Sequence, residues 1–157
     1  MEINNPMSLT EGLRSNISEA LRAKDSRKVE TLRGLLAGIH NEEIAKRSRG
    51  NASEITDEEI IAVFQKEAKK RRESIEIYSK AGRADLETKE KDELTVIESY
   101  LPPALSEAEV ETIVKKAISG GESNFGKVMG IAMKEIAGRA ESKVVTEIIK
   151  RNLGGGE

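Results

Sequence analysis

The chain has 157 residues, of which 34% are charged and 37% hydrophobic, and its formal net charge is −2. That length fits one domain or two small helical modules, and the near-neutral charge excludes a uniformly basic nucleic-acid binder. The absence of cysteine excludes disulfides, thiolate metal sites and a cysteine nucleophile.

Aromatic residues are only 3% and tryptophan is absent, so the core must be built from Leu, Ile, Val, Met and Ala, most of which suit helices. No run approaches the roughly 18 apolar residues of a membrane span. Met1–Met7 is polar and lacks the charged-then-apolar pattern of a secretory signal, so a cytoplasmic location is the default expectation. Met7-Ser8-Leu9 reads as an alternative start, with Met1–Pro6 dispensable for folding.

Apolar residues recur every three to four positions, which is helical periodicity, and no stretch alternates as a strand does. Ser8 and Glu11 have capping-box spacing and open a first helix with the stripe Leu9, Leu13, Ile17 and Leu21. Asp25 and Ser26 break that pattern and cap a second helix, which carries Val29, Leu32, Leu36 and Ile39 with Leu35 beside them and Ile44 further on. The pattern fades over Lys46–Asn51, a polar, basic stretch that predicts a loop open to proteolysis. Thr56 and Glu59 form a second capping box. Behind it lies a long helix with Ile60, Phe64, Ala68, Arg71, Ile75 and Tyr78 on one face, stopped at Gly82. Asp85 is the expected cap of a further helix with Leu86, Leu94, Ile97 and Leu101, whose middle, Thr88–Glu93, is polar.

Pro102-Pro103 marks a boundary, because neither proline suits a helix interior and Pro102 biases Leu101 away from helical geometry. Ser106 and Glu109 then make a third capping box. Three short helices follow, with Val110, Ile113, Val114, Ala117 and Ile118 in the first. The second has Phe125, Val128, Met129, Ala132 and Ile136, and the third Val144, Val145, Ile148, Ile149 and Leu153. The glycine pair 120–121 ends the first and Gly138 the second, and Gly154–Gly156 reads as a flexible tail. The expected fold is therefore all-α, with a long-helix N-terminal module over 8–101 and a compact three-helix bundle over 106–153. Helices that short need tertiary packing to persist.

Gly121, four residues, then Gly126 and Lys127 match the spacing of a phosphate-binding loop. Val128 stands where that motif needs Ser or Thr, and the preceding element reads as a helix rather than a strand, so a helix connector is the expectation. His40, the single histidine, lacks an oriented partner among its sequence neighbours, and one histidine without cysteine makes a transition-metal site improbable. Asp57-Glu58-Glu59 lies in a first helical turn, where the helix dipole favours negative charge. Glu90–Glu93 alternates with lysines as a solvated face does. Neither pattern predicts a cofactor, and no catalytic residue is assigned.

Charge is uneven along the chain. Ser123–Leu153 carries six basic residues (Lys127, Lys134, Arg139, Lys143, Lys150, Arg151) against Glu135, Glu141 and Glu147, a local +3. Lys127 and Lys134 share a seven-residue spacing on one predicted helix, and Lys143 and Lys150 on the next, so each pair falls near one face. Arg139 sits in the turn between them, beside a helix N-terminus suited to phosphate. These five residues are the candidate nucleic-acid contacts. Lys66, Lys69, Lys70 and Arg72 form a secondary basic cluster on the long helix, beside Glu67, Glu73 and Glu76. Arg71, in the apolar stripe, is expected to pack its stem and send its head to water.

Several stretches together resemble one family. Gly126-Lys127-Val128-Met129-Gly130 followed by Gly138-Arg139-Ala140-Glu141-Ser142-Lys143-Val144-Val145 looks like the signature of the GatB/YqeY family. Leu32-Arg33 with Leu35-Leu36, Gln65-Lys66-Glu67 running into Arg71-Arg72-Glu73-Ser74, Ala81-Gly82-Arg83 with Asp85-Leu86, and Tyr100-Leu101-Pro102 agree with its stand-alone YqeY-like members. The resemblance covers Ser8–Leu153. In one departure, Glu141-Ser142 replaces the family's usual pair after G-[KR]-A.

The resemblance implies a helical module like the tail of the GatB component of the glutamine-dependent aminoacyl-tRNA amidotransferase, a tail that contacts tRNA. It also implies that the kinase and transamidation centre lies in a domain this chain lacks, and that glutamine hydrolysis belongs to another component. Stand-alone members carry the label of carbon–nitrogen ligase with glutamine as amide donor by association. The expected function is a non-catalytic module contacting tRNA by shape and phosphates, with neither DNA nor membrane as partner. The alternatives are a protein–protein adaptor docking an amidotransferase or other protein, and an accessory of the ligase.

Overall fold

A computed structural model of the chain describes residues 8–154. Met1–Pro6, the alternative start at Met7 and the last three residues, 155–157, lie outside the described residues. The described residues form the helices α1 (Leu9–Arg22), α2 (Ser26–Ser48), α3 (Asp57–Lys80), α4 (Ala84–Glu98), α5 (Glu107–Ser119), α6 (Phe125–Ile136) and α7 (Ser142–Leu153), with no strand. The fold is all-α. The chain divides into two compact units, one ending at Leu101 and the other beginning at Pro102.

All three Ser/Thr-x-x-Glu boxes form as reciprocal caps. Ser8, Thr56 and Ser106 each accept the N–H of the glutamate three residues on, and that glutamate accepts the backbone N–H of the cap. Asp25 caps α2 through the Lys28 N–H, and Asn124 caps α6 through the Lys127 N–H. The expected cap at Asp85 does not form. Arg83 is the N-cap of α4 without a side-chain bond, and Asp85 sits within the first turn, paired with Arg83 at 3.3 Å. The helix dipole favours a carboxylate there. Gly82, at φ 68°, lies just past the end of α3 in the left-handed region open to glycine.

The first unit packs α2 against α1, α3 and α4, and α3 against α4. Its core is Leu13, Leu32, Leu35, Ile39, Ile60, Phe64, Ala68 and Ile97. Phe64 meets Tyr100 edge-to-face, with centroids 5.8 Å apart, and the Tyr100 hydroxyl accepts a hydrogen bond from Asn16. Three apolar assignments shift. Leu21 is 50% exposed and Ala20 is buried instead, because Ala20 lies about 20° short of two full turns from Leu13. On α2, Leu35 takes the fully buried position and Leu36 a flanking one, while Ile44 is 61% exposed.

The predicted loop at Lys46–Asn51 is helical up to Ser48. Lys46 is buried, and its Nζ donates to the Glu54 carbonyl and to Glu59 Oε2, both at 2.8 Å. The same Glu59 oxygen accepts the Thr56 N–H at 3.0 Å. One carboxylate thus caps α3 and neutralises an ammonium from the end of α2.

The polar middle of α4 is only in part a solvated face: Lys91 and Asp92 are exposed, and Glu90 and Glu93 are turned inward. Glu93 is buried, and Arg71 Nε lies 2.8 Å from Glu93 Oε2 and 3.5 Å from Glu90 Oε2, with Glu67 at 3.9 Å from the guanidinium. The Arg71 head therefore turns inward to carboxylates, because α4 lays Glu90 and Glu93 against α3 where sequence shows only alternating charge. His40 also has a partner that adjacency overlooked: Glu43, three residues on and hence on the same helix face, lies 3.3 Å from its Nδ1.

The second unit packs Val110, Val114 and Ala117 of α5 with Val128, Ala132 and Ile136 of α6 and Val145, Ile148 and Ile149 of α7. Phe125, expected in the α6 stripe, is 40% exposed at the helix start.

Replacing Lys46 with Ala removes two hydrogen bonds and a packed stem, and is expected to cost about 1–3 kcal/mol in a denaturant titration. The Glu59 pKa is lowered, first by the Lys46 hydrogen bond and then by the Thr56 N–H, and Glu109 is lowered by the Ser106 N–H and hydroxyl. Their stabilisation is therefore fully present above the ordinary glutamate value of 4.5 and is lost as the pH falls below it through the folded-state values. A melting-temperature series should fall on acidification from about pH 6 to about pH 3, and Glu59→Gln should flatten that decline. An acid limb equally steep in the variant would remove Glu59 as a contributor.

Candidate nucleic-acid interface

Burial of Val128, Ala132 and Ile136 orients α6, and burial of Val145, Ile148 and Ile149 orients α7. At 3.6 residues per turn, the seven-residue pairs fall on the opposite sides of these helices. Lys127 and Lys134 stand on the outer side of α6 and Lys143 and Lys150 on that of α7, all exposed. Lys127 Nζ lies 3.8 Å from Glu122. Lys134, Lys143 and Lys150 have no ion pair among the described residues. Glu135 is drawn toward Lys116 at 3.9 Å, whereas Glu147 lies between the two lysines of α7. The α6 side is thus the more uniformly cationic.

Arg139 is placed differently from these lysines. Its Nε donates to the Ile136 carbonyl and its Nη2 to the Glu135 carbonyl, both at 2.9 Å. The guanidinium satisfies carbonyls that the end of α6 leaves open. Its own carbonyl accepts the Leu105 N–H at 2.8 Å, tying the segment before α5 to the α6–α7 turn. The chain enters that turn through Ala137 (φ 49°) and Gly138 (φ 78°), both left-handed. Glu141 is the N-cap of α7 without a side-chain bond.

In the secondary cluster, Lys66 and Lys69 are exposed and without an ion pair among the described residues, Lys70 meets Glu67 at 3.1 Å, and Arg72 meets Glu98 at 3.5 Å. Two of its four cations are therefore already compensated. Lys127, the lysine of the near phosphate loop, sits in the first turn of α6, and the element before that loop is the helix α5. The strand that would aim a phosphate loop is not there.

Two residues of α6 carry no site role in the sequence, Gly130, which appears there only within the family motif, and Ile131. Gly130 is exposed in mid-helix, and a Cβ there would meet nothing within 4 Å. Glycine in a helix interior costs about 1 kcal/mol relative to alanine. Ile131 is 48% exposed. The signal for both was an isoleucine and a glycine off the apolar stripe. Among the described residues, no group of three or more His, Asp or Glu is placed to hold a metal, and no helix is long and apolar enough to cross a membrane. An open hollow of about 500 Å³ on the first unit, lined by residues including Leu21, Lys24, Val29 and Arg33, brings no reactive pair together.

Comparison with known proteins places these helices in context. Altered inheritance of mitochondria protein 41, mitochondrial, from Pyrenophora tritici-repentis is 32% identical over 148 residues, covering 90% of this chain and 79% of that protein. The protein of the same name from Vanderwaltozyma polyspora is 30% identical, covering 87% and 71%, and that from Saccharomyces cerevisiae 29%, covering 83% and 69%. These mitochondrial designations overturn the cytoplasmic expectation. That expectation rested on composition, and a bundle of charged helices is equally at home in either aqueous compartment. Residues 10–153 match the family described as Yqey-like protein, so the chain belongs to the YqeY-like family.

Proposed function

We propose that the C-terminal three-helix unit is a non-catalytic module that docks structured RNA of the tRNA kind. The observation that carries this reading is the set of exposed lysines on α6 and α7, three of them without an ion pair among the described residues. Lysines aimed at solvent contact phosphates without reading bases, so binding is set by shape and charge. Arg139 contributes by holding the end of α6, and through it the turn between the two lysine-bearing helices. The resemblance to the tail of the tRNA-dependent amidotransferase supports tRNA as the RNA class and the amidotransferase system as its setting. The names of the relatives state no activity, and the reading does not depend on compartment.

A second reading, a protein–protein adaptor, draws on the first unit. From Lys69 to Asp92 no residue is buried, and Ile77 is 64% exposed within that helical hairpin. Such an arm has apolar surface to offer a partner.

Binding of a tRNA transcript at several salt concentrations separates the two readings. Lys127→Ala/Lys134→Ala and Lys143→Ala/Lys150→Ala should each weaken binding, nearly independently of sequence. Each should also reduce the salt slope by up to about two units, on the order of one for every phosphate no longer neutralised. Folded variants with unchanged affinity and slope would eliminate this surface, and the Lys66–Arg72 cluster would be next in line. Partner capture that survives RNase and is abolished by Ile77→Glu would favour the adaptor.

A further inference from the structure

The Gly126–Gly130 motif can be assigned position by position, and one residue is left over. A Cβ at Gly126 would lie 3.3 Å from Asn124 Oδ1, the oxygen that accepts the Lys127 N–H, so the N-cap itself favours glycine there. Val128 is fully buried and Met129 packs against the core. Gly130 has no such reason, since a side chain there would meet open space and a helix prefers almost any residue to glycine. Its neighbours on the helix surface are Lys127 three residues before and Lys134 four after, with Ile131 at the margin, 48% exposed. The facet therefore has a cation at each end and, between them, a place where a partner can come within reach of the helix backbone.

We propose that Gly130 is the close-approach point for a ribose–phosphate backbone lying flush on α6, with Ile131 against a sugar and Lys127 and Lys134 on the flanking phosphates. This rests on the RNA-docking reading above and adds the residue that sets how closely the RNA backbone approaches. The partner is a polyanion rather than an acidic helix because the facet carries a lysine at each end, two helical turns apart, with no carboxylate between them, a spacing that suits successive phosphates along one backbone.

The test uses the full chain and a tRNA transcript, with wild type, Gly130→Ala, Gly130→Gln and Lys127→Ala/Lys134→Ala. Both glycine variants should melt at or above wild type, Gly130→Ala by roughly 2–5 °C. They should nevertheless bind RNA more weakly, by about five- to tenfold for Ala and more for Gln, a graded loss with no charge removed. Glycine variants that bind like wild type, while the lysine variant is impaired, would overturn this inference and leave the RNA reading standing. Wild type without salt-dependent RNA binding would remove both. A glutamate-rich helical peptide that binds wild type and is blocked by Gly130→Gln, with RNA binding unaffected, would assign the facet to a protein partner instead. A melting temperature lowered by Gly130→Ala would also count against the proposal, since the glycine would then be serving the fold.

Discussion

A glutamate three residues into a helix, reaching back to the N–H of its own cap, fixes where α1, α3 and α5 begin. The later structure depends on those starting points. A helix turns 3.6 residues at a time, so once it is fixed in place the spacing of its residues decides which side chains share a face. In α5 the Ser106–Glu109 cap starts the helix that presents Val110, Val114 and Ala117, and that apolar face is what α6 and α7 pack against. Once those two helices bury their own stripes, their lysines have no direction left but outward. The candidate interface is in this sense a consequence of core packing.

The first unit spends its polar groups on internal joints. Lys46 and Glu59 join the end of α2 to the start of α3, and Arg71 with Glu67, Glu90 and Glu93 joins α3 to α4. Lys46 and Glu93 are buried while Glu59 and Arg71 stay partly in water, and such pairs contribute less net stability than their Coulomb energy suggests, because the buried charge must first leave water. Breaking one is costly all the same, since it strands the other charge. These joints specify which helix lies against which. A core that is aliphatic apart from Phe64, with Tyr100 packed against it, offers few other shape-specific contacts for that purpose.

The second unit handles charge in the opposite way. Its joint is Arg139 on the last carbonyls of α6, and most of its lysines are left to solvent. Like Gly34 of α2 in the first unit, its Gly130 is a helix-destabilising mid-helix glycine on an open facet, but here lysines flank it on the same side. A unit stabilised by nine buried aliphatic residues can carry that cost, and local departures from the best-folding residue are expected where a surface has to meet something else.

Much of this was legible in the chain itself. The helix starts at Ser8, Thr56 and Ser106 and the core positions of α5 and α7 follow from capping chemistry and periodicity, which act over three or four residues. The outward lysines of α6 and α7 were legible for the same reason. Lys46, Arg71, Glu90 and Glu93 were not. Sequence shows them as charged residues among charged residues, and only the meeting of α2 with α3, and of α3 with α4, takes them out of water. Arg139 likewise read as a free cation, because the carbonyls it holds come into reach only when the chain turns through Ala137 and Gly138. The sequence by itself determined where helices begin and which stripe each buries, since those are local properties of the backbone and its neighbours. The tertiary structure alone decided which charges are internal and which are left for a partner, since that depends on what lies opposite.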